Sequence, residues 1–203
     1  MKRLMLILLL AAFAAGSAGL AEARIALQNG DSFYAENLES AVLPEESRYF
    51  EIGYRVCAVP DEEQTEPGVH LIQYDLLLRN KTDQTLSNLR FTAHFRDSLQ
   101  LALIAPEWYN EPMNLGARDR TAPPSAAIYT WNPFVNLDNL SLLEDLAVSD
   151  FYDMLVEIEW NGGSERIRLN RECAGMPDSV QGSLDAREPL DEAELACMLE
   201  MGK

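Results

Sequence analysis

The sequence predicts an all-β protein, an antiparallel β-sandwich of about seven strands with one short crossover helix and a short C-terminal helix. Three observations support this fold class. Apolar side chains recur with period two in several segments, polar turn residues separate those segments, and helical patterns are few. Of the 203 residues 47% are hydrophobic and 24% are charged, a composition typical of a globular domain with its own core.

The N-terminal segment predicts export. Lys2 and Arg3 precede an apolar run over residues 4–15, and Ala21-Glu22-Ala23 offers the small side chains that signal peptidase requires. The run is shorter than the roughly 20 apolar residues that cross a bilayer. We therefore expect residues 1–23 to be a cleaved signal peptide, with no transmembrane anchor left after cleavage and a periplasmic or secreted product.

The charge balance excludes several kinds of partner. The 16 Lys and Arg residues stand against 33 Asp and Glu residues, which gives a net charge of −17. Cleavage after Ala23 removes Lys2, Arg3 and Glu22, a net +1, and leaves −18. Such a surface repels nucleic-acid backbones and anionic lipid headgroups, so neither is an expected partner. Charge complementarity instead favours a basic protein, and a glycan of the cell envelope is the alternative.

Alternating apolar and polar residues define the strands in chain order. The strands so predicted cover residues 49–59, 70–78, 89–95, 99–103, 127–131, 154–160 and 166–169. Polar side chains such as Arg55 and Asp75 fall on the face opposite the apolar one, as in half-buried strands. The last two strands form a hairpin around Asn161-Gly162, since a type I′ turn needs positive φ at both central residues and this pair supplies them.

The predicted strands also divide the chain into segments. Residues 24–46 are predicted to be an N-terminal arm or edge strand, residues 47–170 the β-sandwich domain, and residues 171–203 a linker and C-terminal helix. Ser141 and Glu144 have capping-box spacing and open the predicted crossover helix. The final helix covers residues 191–201, which carry an N-terminal Asp and a single apolar stripe.

The stretch over residues 74–95, YDLLLRNKTDQTLSNLRFTAHF, carries a resemblance to a known class of fold. A strand that ends in an Asn-x-Thr turn and is followed by a second alternating strand resembles the immunoglobulin-like β-sandwich modules of secreted bacterial proteins. The resemblance covers residues 47–170 and implies an immunoglobulin-like sandwich. Because Cys57, Trp131 and Cys173 lack the spacing of the antibody Cys…Trp…Cys core, it implies no particular activity.

Aromatic side chains near a Pro-rich loop are the candidate ligand-binding residues. Trp108, Tyr109 and Trp131 could stack on sugar rings or fill a partner's pocket. The same rings could instead pack in the core or cover one end of the sandwich. The general tendency of large aromatic residues to be buried favours packing.

The three cysteines, Cys57, Cys173 and Cys197, allow one intramolecular disulfide in an oxidising compartment. Chain proximity favours Cys173–Cys197, and pairing of Cys57 with either one stays open. Cys197 and Met201 have a spacing that would suit Cu(I) on a helix, but methionine on a short helix is more often core filler. No calcium-loop motif follows the acids near residue 61. We expect no metal and no cofactor.

Catalytic signatures are missing from the sequence. No nucleophile elbow is present, and His70 and His94, the only histidines, lie in predicted strands without a local partner motif. We therefore predict no catalytic residues. The leading hypothesis is a non-catalytic exported module that binds another protein or acts at the envelope. A carbohydrate-binding module is the alternative, and an unrecognised hydrolase that uses a histidine with a carboxylate or Cys57 is the third.

Overall fold

The computed structural model describes residues 33–59, 69–104, 108–118, 126–136, 146–181, 184 and 187–201. It is mostly β, with two antiparallel sheets that pack together and a few short helices. The strands of the described residues are β1 (Phe50–Ala58), β2 (Val69–Asn80), β3 (Leu86–Phe95), β4 (Leu103–Ile104), β5 (Trp108–Tyr109), β6 (Met113–Leu115), β7 (Ala126–Trp131), β8 (Phe134–Asn136), β9 (Met154–Trp160) and β10 (Gly163–Leu169). The α-helices are α1 (Phe33–Asn37), α2 (Asp97–Ala102), α3 (Val148–Tyr152), α4 (Asp178–Gln181) and α5 (Glu192–Met201). Short 3₁₀ turns cover Leu38–Ser40, Pro44–Glu46 and Arg171–Cys173.

The first sheet is built around the long strand β2. One edge of β2 pairs with β1, and its other edge pairs with β7 and then β8. The buried Pro133 lies between β7 and β8. Because proline has no N–H to donate to a sheet ladder, it divides this edge into two strands. The two-residue strand β4 extends the sheet beyond β8.

The second sheet has the order β10-β9-β3, with β5 and β6 side by side along the far edge of β3. The ten strands of the described residues exceed the roughly seven predicted, because four of them, β4, β5, β6 and β8, are only two or three residues long. Short pieces of this size carry too few residues for an alternating pattern to be read from sequence.

The apolar faces of both sheets form one core. From β2, Ile72, Tyr74, Leu76 and Leu78 are buried, and from β3 the predicted set Leu89, Phe91, Ala93 and Phe95 is buried as well. The alternate residues of β3, such as Arg90 and Thr92, are exposed. Period-two alternation therefore identified the core face correctly on these strands.

The predicted C-terminal hairpin is confirmed, with Trp160 paired to Gly163 across the turn. Its turn differs from the expected type I′ geometry, because only Gly162 has positive φ, at 112°. Asn161 instead keeps negative φ and donates its backbone N–H to the carbonyl of Ser87 at 2.9 Å. That bond ties the hairpin tip to the start of β3.

Two predicted elements differ from the structure. Residues 99–103 were expected to be a strand, but residues 97–102 form helix α2. The fully buried Leu99 and Ala102 are three residues apart and so share one helix face. The first five residues of the predicted crossover helix, 141–145, lie outside the described residues, and Leu146 and Ala147 are not helical.

The C-terminal helix is confirmed as α5. Asp191 caps it as predicted, because its carboxylate accepts the backbone N–H groups of Ala193 at 2.8 Å and Glu194 at 2.9 Å. Leu195 and Met198 are buried in the core. The helix therefore docks on the sandwich, and within the described residues no helix is long and apolar enough to cross a membrane.

Chain segments on either side of the sandwich cover the outer edges of both sheets. Val42, in the predicted N-terminal arm, pairs with Ile167 of β10 through hydrogen bonds of 2.9 Å. Gly175 pairs with Tyr54 of β1, and Leu190 donates to the Val56 carbonyl at 2.9 Å. Covered edges cannot pair with another molecule's strands, which protects a β-protein from aggregation.

The described residues between 171 and 190, here called the C-terminal strap, also cover the outer face of the first sheet. Ser179 accepts a hydrogen bond from Arg79 there, and Met176 and Pro177 pack over Gly53. On the same face, which the alternation assigned to solvent, Gln73, Asp75 and Cys57 are buried. Period-two patterning cannot reveal a cover supplied by residues 100 positions away in the chain.

Gly53 allows this close approach. A Cβ at position 53 would lie 2.8 Å from Met176 Sδ and 2.9 Å from Pro177 Cδ, whereas one at Gly175 would meet nothing within 4 Å. We expect Gly53→Ala to lower the free energy of unfolding by about 1–3 kcal/mol through overpacking, as measured by urea denaturation. Gly175→Ala is the matched control and should change stability far less. Equal effects of the two substitutions would show that the strap does not press on Gly53.

Candidate functional site

The aromatic candidates lie partly inside the protein. Trp108 is 4% exposed and stacks on Trp131, with ring centroids 5.7 Å apart and planes 13° apart. Trp131, half-buried, also stacks on Phe95 at 5.3 Å. Only Tyr109, at 60% exposure, presents its ring to solvent. The two tryptophans pack against each other, so a sugar-binding role would rest mainly on Tyr109, with the accessible part of Trp131.

His94 lies on the outer face of the second sheet under helix α1. Its ring stacks on Phe33 with centroids 4.0 Å apart, and its buried Nε2 has no hydrogen-bond partner among the described residues. Burial lowers the pKa of the His94 imidazole, which favours the neutral form. The side chain of His70 lies outside the described residues. The described histidine is thus held by ring stacking, without the carboxylate contact that a hydrolase would use.

The thiol of Cys57 is equally unsuited to act as a nucleophile. Cys57 is 1% exposed, and burial raises the pKa of its thiol to about 11. Reactive cysteines have the opposite properties, because the thiolate is the nucleophile and needs access to solvent. Cys57 behaves here as a small buried apolar residue.

All three cysteines are free thiols in the structure. Cys173 is half-buried, and its sulfur lies 3.1 Å from the backbone nitrogen of Asn170 and 3.2 Å from the Asn170 carbonyl. Cys197 is exposed on α5. The Cys173–Cys197 disulfide stays a prediction for the exported protein. Within the described part of the chain no group of three or more His, Cys, Asp and Glu side chains could hold a metal ion.

A buried carboxylate occupies the outer face of the first sheet, beneath the strap. Asp75 is fully buried and accepts hydrogen bonds from Arg55 Nε at 2.6 Å, Gln73 Nε2 at 2.9 Å and Thr130 Oγ1 at 2.5 Å. These donors come from β1, β2 and β7. A buried charge with a cation and two neutral donors is satisfied. The network therefore joins three strands and leaves no reactive group open to solvent.

The best candidate for a binding site is a cleft of about 490 Å³ at one end of the sandwich. We call it the basic cleft, because three of the nine described residues that line it are the cations Arg79, Lys81 and Arg118. Its other lining residues are Pro44, Glu45, Glu51, Ile52, Asn80 and Cys173. The volume lies within the range of roughly 300–1,000 Å³ that is usual for small-molecule sites.

The turn after β2 assembles this cleft. Asn80 is buried and its carboxamide oxygen accepts hydrogen bonds from the backbone N–H and hydroxyl of Thr82, both at 2.8 Å. This is the Asn-x-Thr turn that the sequence indicated. The Asn80 amide nitrogen donates to the carbonyls of Gln84 at 2.7 Å and Gly116 at 3.0 Å. Asn80 thereby draws the segment after β6 against the turn.

Each cation of the basic cleft is held differently. The side chain of Arg79 is 11% exposed. Its Nη1 donates to both carboxylate oxygens of Glu51, at 3.0 and 2.9 Å. Lys81 is exposed, with Nζ 2.5 Å from the Ser47 carbonyl. Arg118 is exposed, and its backbone N–H donates to the Thr82 carbonyl at 2.7 Å. Two cations therefore face solvent, and a third lies behind them.

Sequence reasoning missed this cleft and the Asp75 network. Arg79 precedes the Asn-x-Thr turn and Lys81 is its middle residue, and this turn is the only local signal for the cleft. Arg118 and Cys173 reach it from distant parts of the chain, so nothing in the sequence pattern places them together. Glu45 also lines it from the 3₁₀ turn Pro44–Glu46, within the predicted N-terminal arm.

The buried thiol gives a pH prediction. Burial raises the pKa of the Cys57 thiol from 9.0 to about 11 in the folded protein. As the pH rises, the thiol therefore loses its proton at a lower pH in the unfolded chain than in the folded one. Stability from this group is complete below pH 9 and is lost as the pH rises toward about 11. Urea denaturation should show that Cys57→Ala weakens the alkaline loss of stability. The Cys197→Ala control should keep the wild-type pH dependence, and identical profiles for all three proteins would contradict the prediction.

No protein-family model matches the sequence, and no functionally curated protein matches it. Function therefore has to follow from this chain's own side chains and their arrangement.

Proposed function

We propose that this chain is a non-catalytic, exported binding module with an immunoglobulin-like sandwich. The observation that carries the proposal is the basic cleft, which presents Lys81 and Arg118 to solvent in a chain of net charge −17. The described thiol and imidazole candidates for catalysis are held in structural contacts instead. A recessed surface with charged groups and no activated nucleophile suits recognition better than chemistry.

The strand order supports the immunoglobulin-like part of the proposal. In immunoglobulin domains the first, second and fifth strands share one sheet, and the third, sixth and seventh share the other. Here β1, β2 and β7 lie together in that order, and β3, β9 and β10 lie together in the second sheet. If the short strands β4, β5, β6 and β8 are set aside, β1, β2 and β7 take the places of the first, second and fifth immunoglobulin strands, and β3, β9 and β10 those of the third, sixth and seventh. Among the described residues no strand pairs with the outer edge of β7, where the fourth immunoglobulin strand would lie.

Export of the chain is part of the same proposal. The predicted signal peptide at residues 1–23 supports a periplasmic or secreted location, where the domain would meet a protein or glycan of the cell envelope. Intact-mass measurement of the protein from the exported fraction tests this. A mature N-terminus at Arg24 is the expected result, and a full-length mass with Met1 retained would contradict it.

Capture from envelope extracts tests the binding role. The purified domain should retain a discrete partner, and Lys81→Glu with Arg118→Glu should abolish that retention. Arg90→Glu is the control for a change of surface charge, because Arg90 is exposed on β3 and does not line the basic cleft. Equal retention by the cleft variant and the wild type would mean that the partner binds elsewhere. Hydrolytic turnover of an envelope substrate by the purified domain would overturn the non-catalytic assignment.

A further inference from the structure

The charges of the basic cleft indicate the chemistry of its ligand. One carboxylate in the cleft, Glu51, is already held by Arg79 through both oxygens. That pair leaves Lys81 and Arg118 as the cations of the cleft that are available to a ligand. Glu45 is the second carboxylate among the described residues that line it. The Lys81 ammonium has three N–H donors, and the contact with the Ser47 carbonyl uses one.

Backbone contacts anchor the main chain of both cations at the cleft. Lys81 donates its backbone N–H to the Tyr49 carbonyl at 2.8 Å, and Arg118 donates its own to Thr82 at 2.7 Å. Both residues are therefore anchored to the same turn, whose shape Asn80 fixes. Preorganised donors lower the entropy cost of binding, since the site does not have to assemble around its ligand.

We propose that the basic cleft binds its partner through a single oxyanion group, a carboxylate or a phosphate, which Lys81 and Arg118 hold. This inference rests on the proposed binding function and adds the chemical class of the ligand. Guanidinium groups bind both oxyanions through paired N–H donors, and an ammonium adds a point charge. The cleft of about 490 Å³ has room for the oxyanion and for the part of the partner that carries it.

The acidity of the chain favours an isolated oxyanion over an extended polyanion. At physiological ionic strength exposed charges are screened beyond about 8 Å, so a small anion in the cleft interacts mainly with the nearby cations. A polyanion such as nucleic acid would extend over the acidic remainder of the surface and be repelled. The net charge of −17 and an oxyanion site are therefore compatible.

Cys173 provides a reporter for the test, because it lines the cleft while Cys197 lies exposed on α5. The purified, fully reduced chain is treated with iodoacetamide, and alkylation of each cysteine is followed by peptide mass spectrometry. Inorganic phosphate and succinate are added in separate titrations. We expect one or both to slow alkylation of Cys173 severalfold and in a saturable way, with the Cys197 rate unchanged. The anion that acts at the lower concentration identifies phosphate or carboxylate as the preferred group.

Charge variants complete the experiment. Arg118→Glu should weaken the protection of Cys173 at least tenfold in anion concentration, because loss of a charge-assisted hydrogen bond costs that much or more. Arg90→Glu makes the same charge change away from the cleft. In this variant the anions should protect Cys173 from alkylation as they do in the wild type. The inference would be overturned if neither anion protected Cys173, or if the anions slowed alkylation of Cys197 equally. Wild-type protection of Cys173 in the Arg118→Glu variant would overturn it as well. If the anions fail while envelope capture still depends on Lys81 and Arg118, the binding role stands and only the ligand class is wrong.

Discussion

Replacing Phe95 with alanine is expected to lower the free energy of unfolding by about 3–5 kcal/mol, the usual cost of emptying a buried phenylalanine site. Phe95 is fully buried on β3, edge-on to Tyr74 at 5.4 Å and stacked on Trp131 at 5.3 Å. Its loss would leave a cavity between the two sheets, where Trp131 cannot close the gap without leaving Trp108. Urea denaturation measures the change, and near-ultraviolet circular dichroism should weaken because the tryptophans lose a fixed neighbour.

Tyr109→Ala is the matched control for Phe95→Ala. Tyr109 comes from the same aromatic group but is 60% exposed, so its removal should change stability by no more than about 0.5 kcal/mol. If Phe95→Ala costs less than about 1 kcal/mol, the aromatic cluster is not part of the core as described. In that case Trp108 and Trp131 would again be candidates for a ligand-binding surface.

Replacing Asp75 with alanine is the second substitution with a large expected effect, a loss of about 3–5 kcal/mol. The carboxylate is fully buried and is the common acceptor for Arg55, Gln73 and Thr130. Its removal deprives the Arg55 guanidinium of a carboxylate at 2.6 Å and leaves the two neutral donors without their acceptor. Unfolding by urea at neutral pH measures the loss. Glu159→Ala, which removes an exposed carboxylate from β9, should be nearly neutral.

A double substitution separates the ion pair from general damage to the site. Arg55→Met with Asp75→Ala removes both partners, so no buried charge is left uncompensated. We expect the double variant to be more stable than the sum of the two single losses predicts. Strict additivity of the single effects would show that Arg55 and Asp75 do not interact across β1 and β2.

The elements that follow a regular period were predictable from the sequence. The apolar face of β3, the hairpin of β9 and β10, and helix α5 with its Asp191 cap all rest on local spacing, and the structure confirms each of them. In such segments a residue's burial follows from its position in the period. Period-two patterning failed at residues 97–102, because Ala102, which the alternation placed on the opposite face from Leu99, is buried with it at a helical spacing of three residues.

What the sequence could not supply depends on contacts between distant segments. Asp75 was assigned to a polar outer face, but it is buried there, on a face that the strap crosses after β10. The basic cleft has the same origin, since Asn80 and Thr82 bring Arg118 beside Lys81 through backbone contacts. Neither contact leaves a local pattern, so the Asn-x-Thr turn at residues 80–82 is the part of the site that the sequence indicates.

Site-specific photocrosslinking tests most directly the claim that the chain acts by binding at the basic cleft. A photoreactive amino acid replaces Lys81 in one variant and the exposed Arg90 of β3 in the other, and each is irradiated in intact envelopes. We predict a discrete adduct from position 81 and none from position 90. Excess phosphate or succinate should suppress the adduct if the partner presents an oxyanion. An adduct from position 90 alone, or no adduct at position 81, would contradict binding at this cleft.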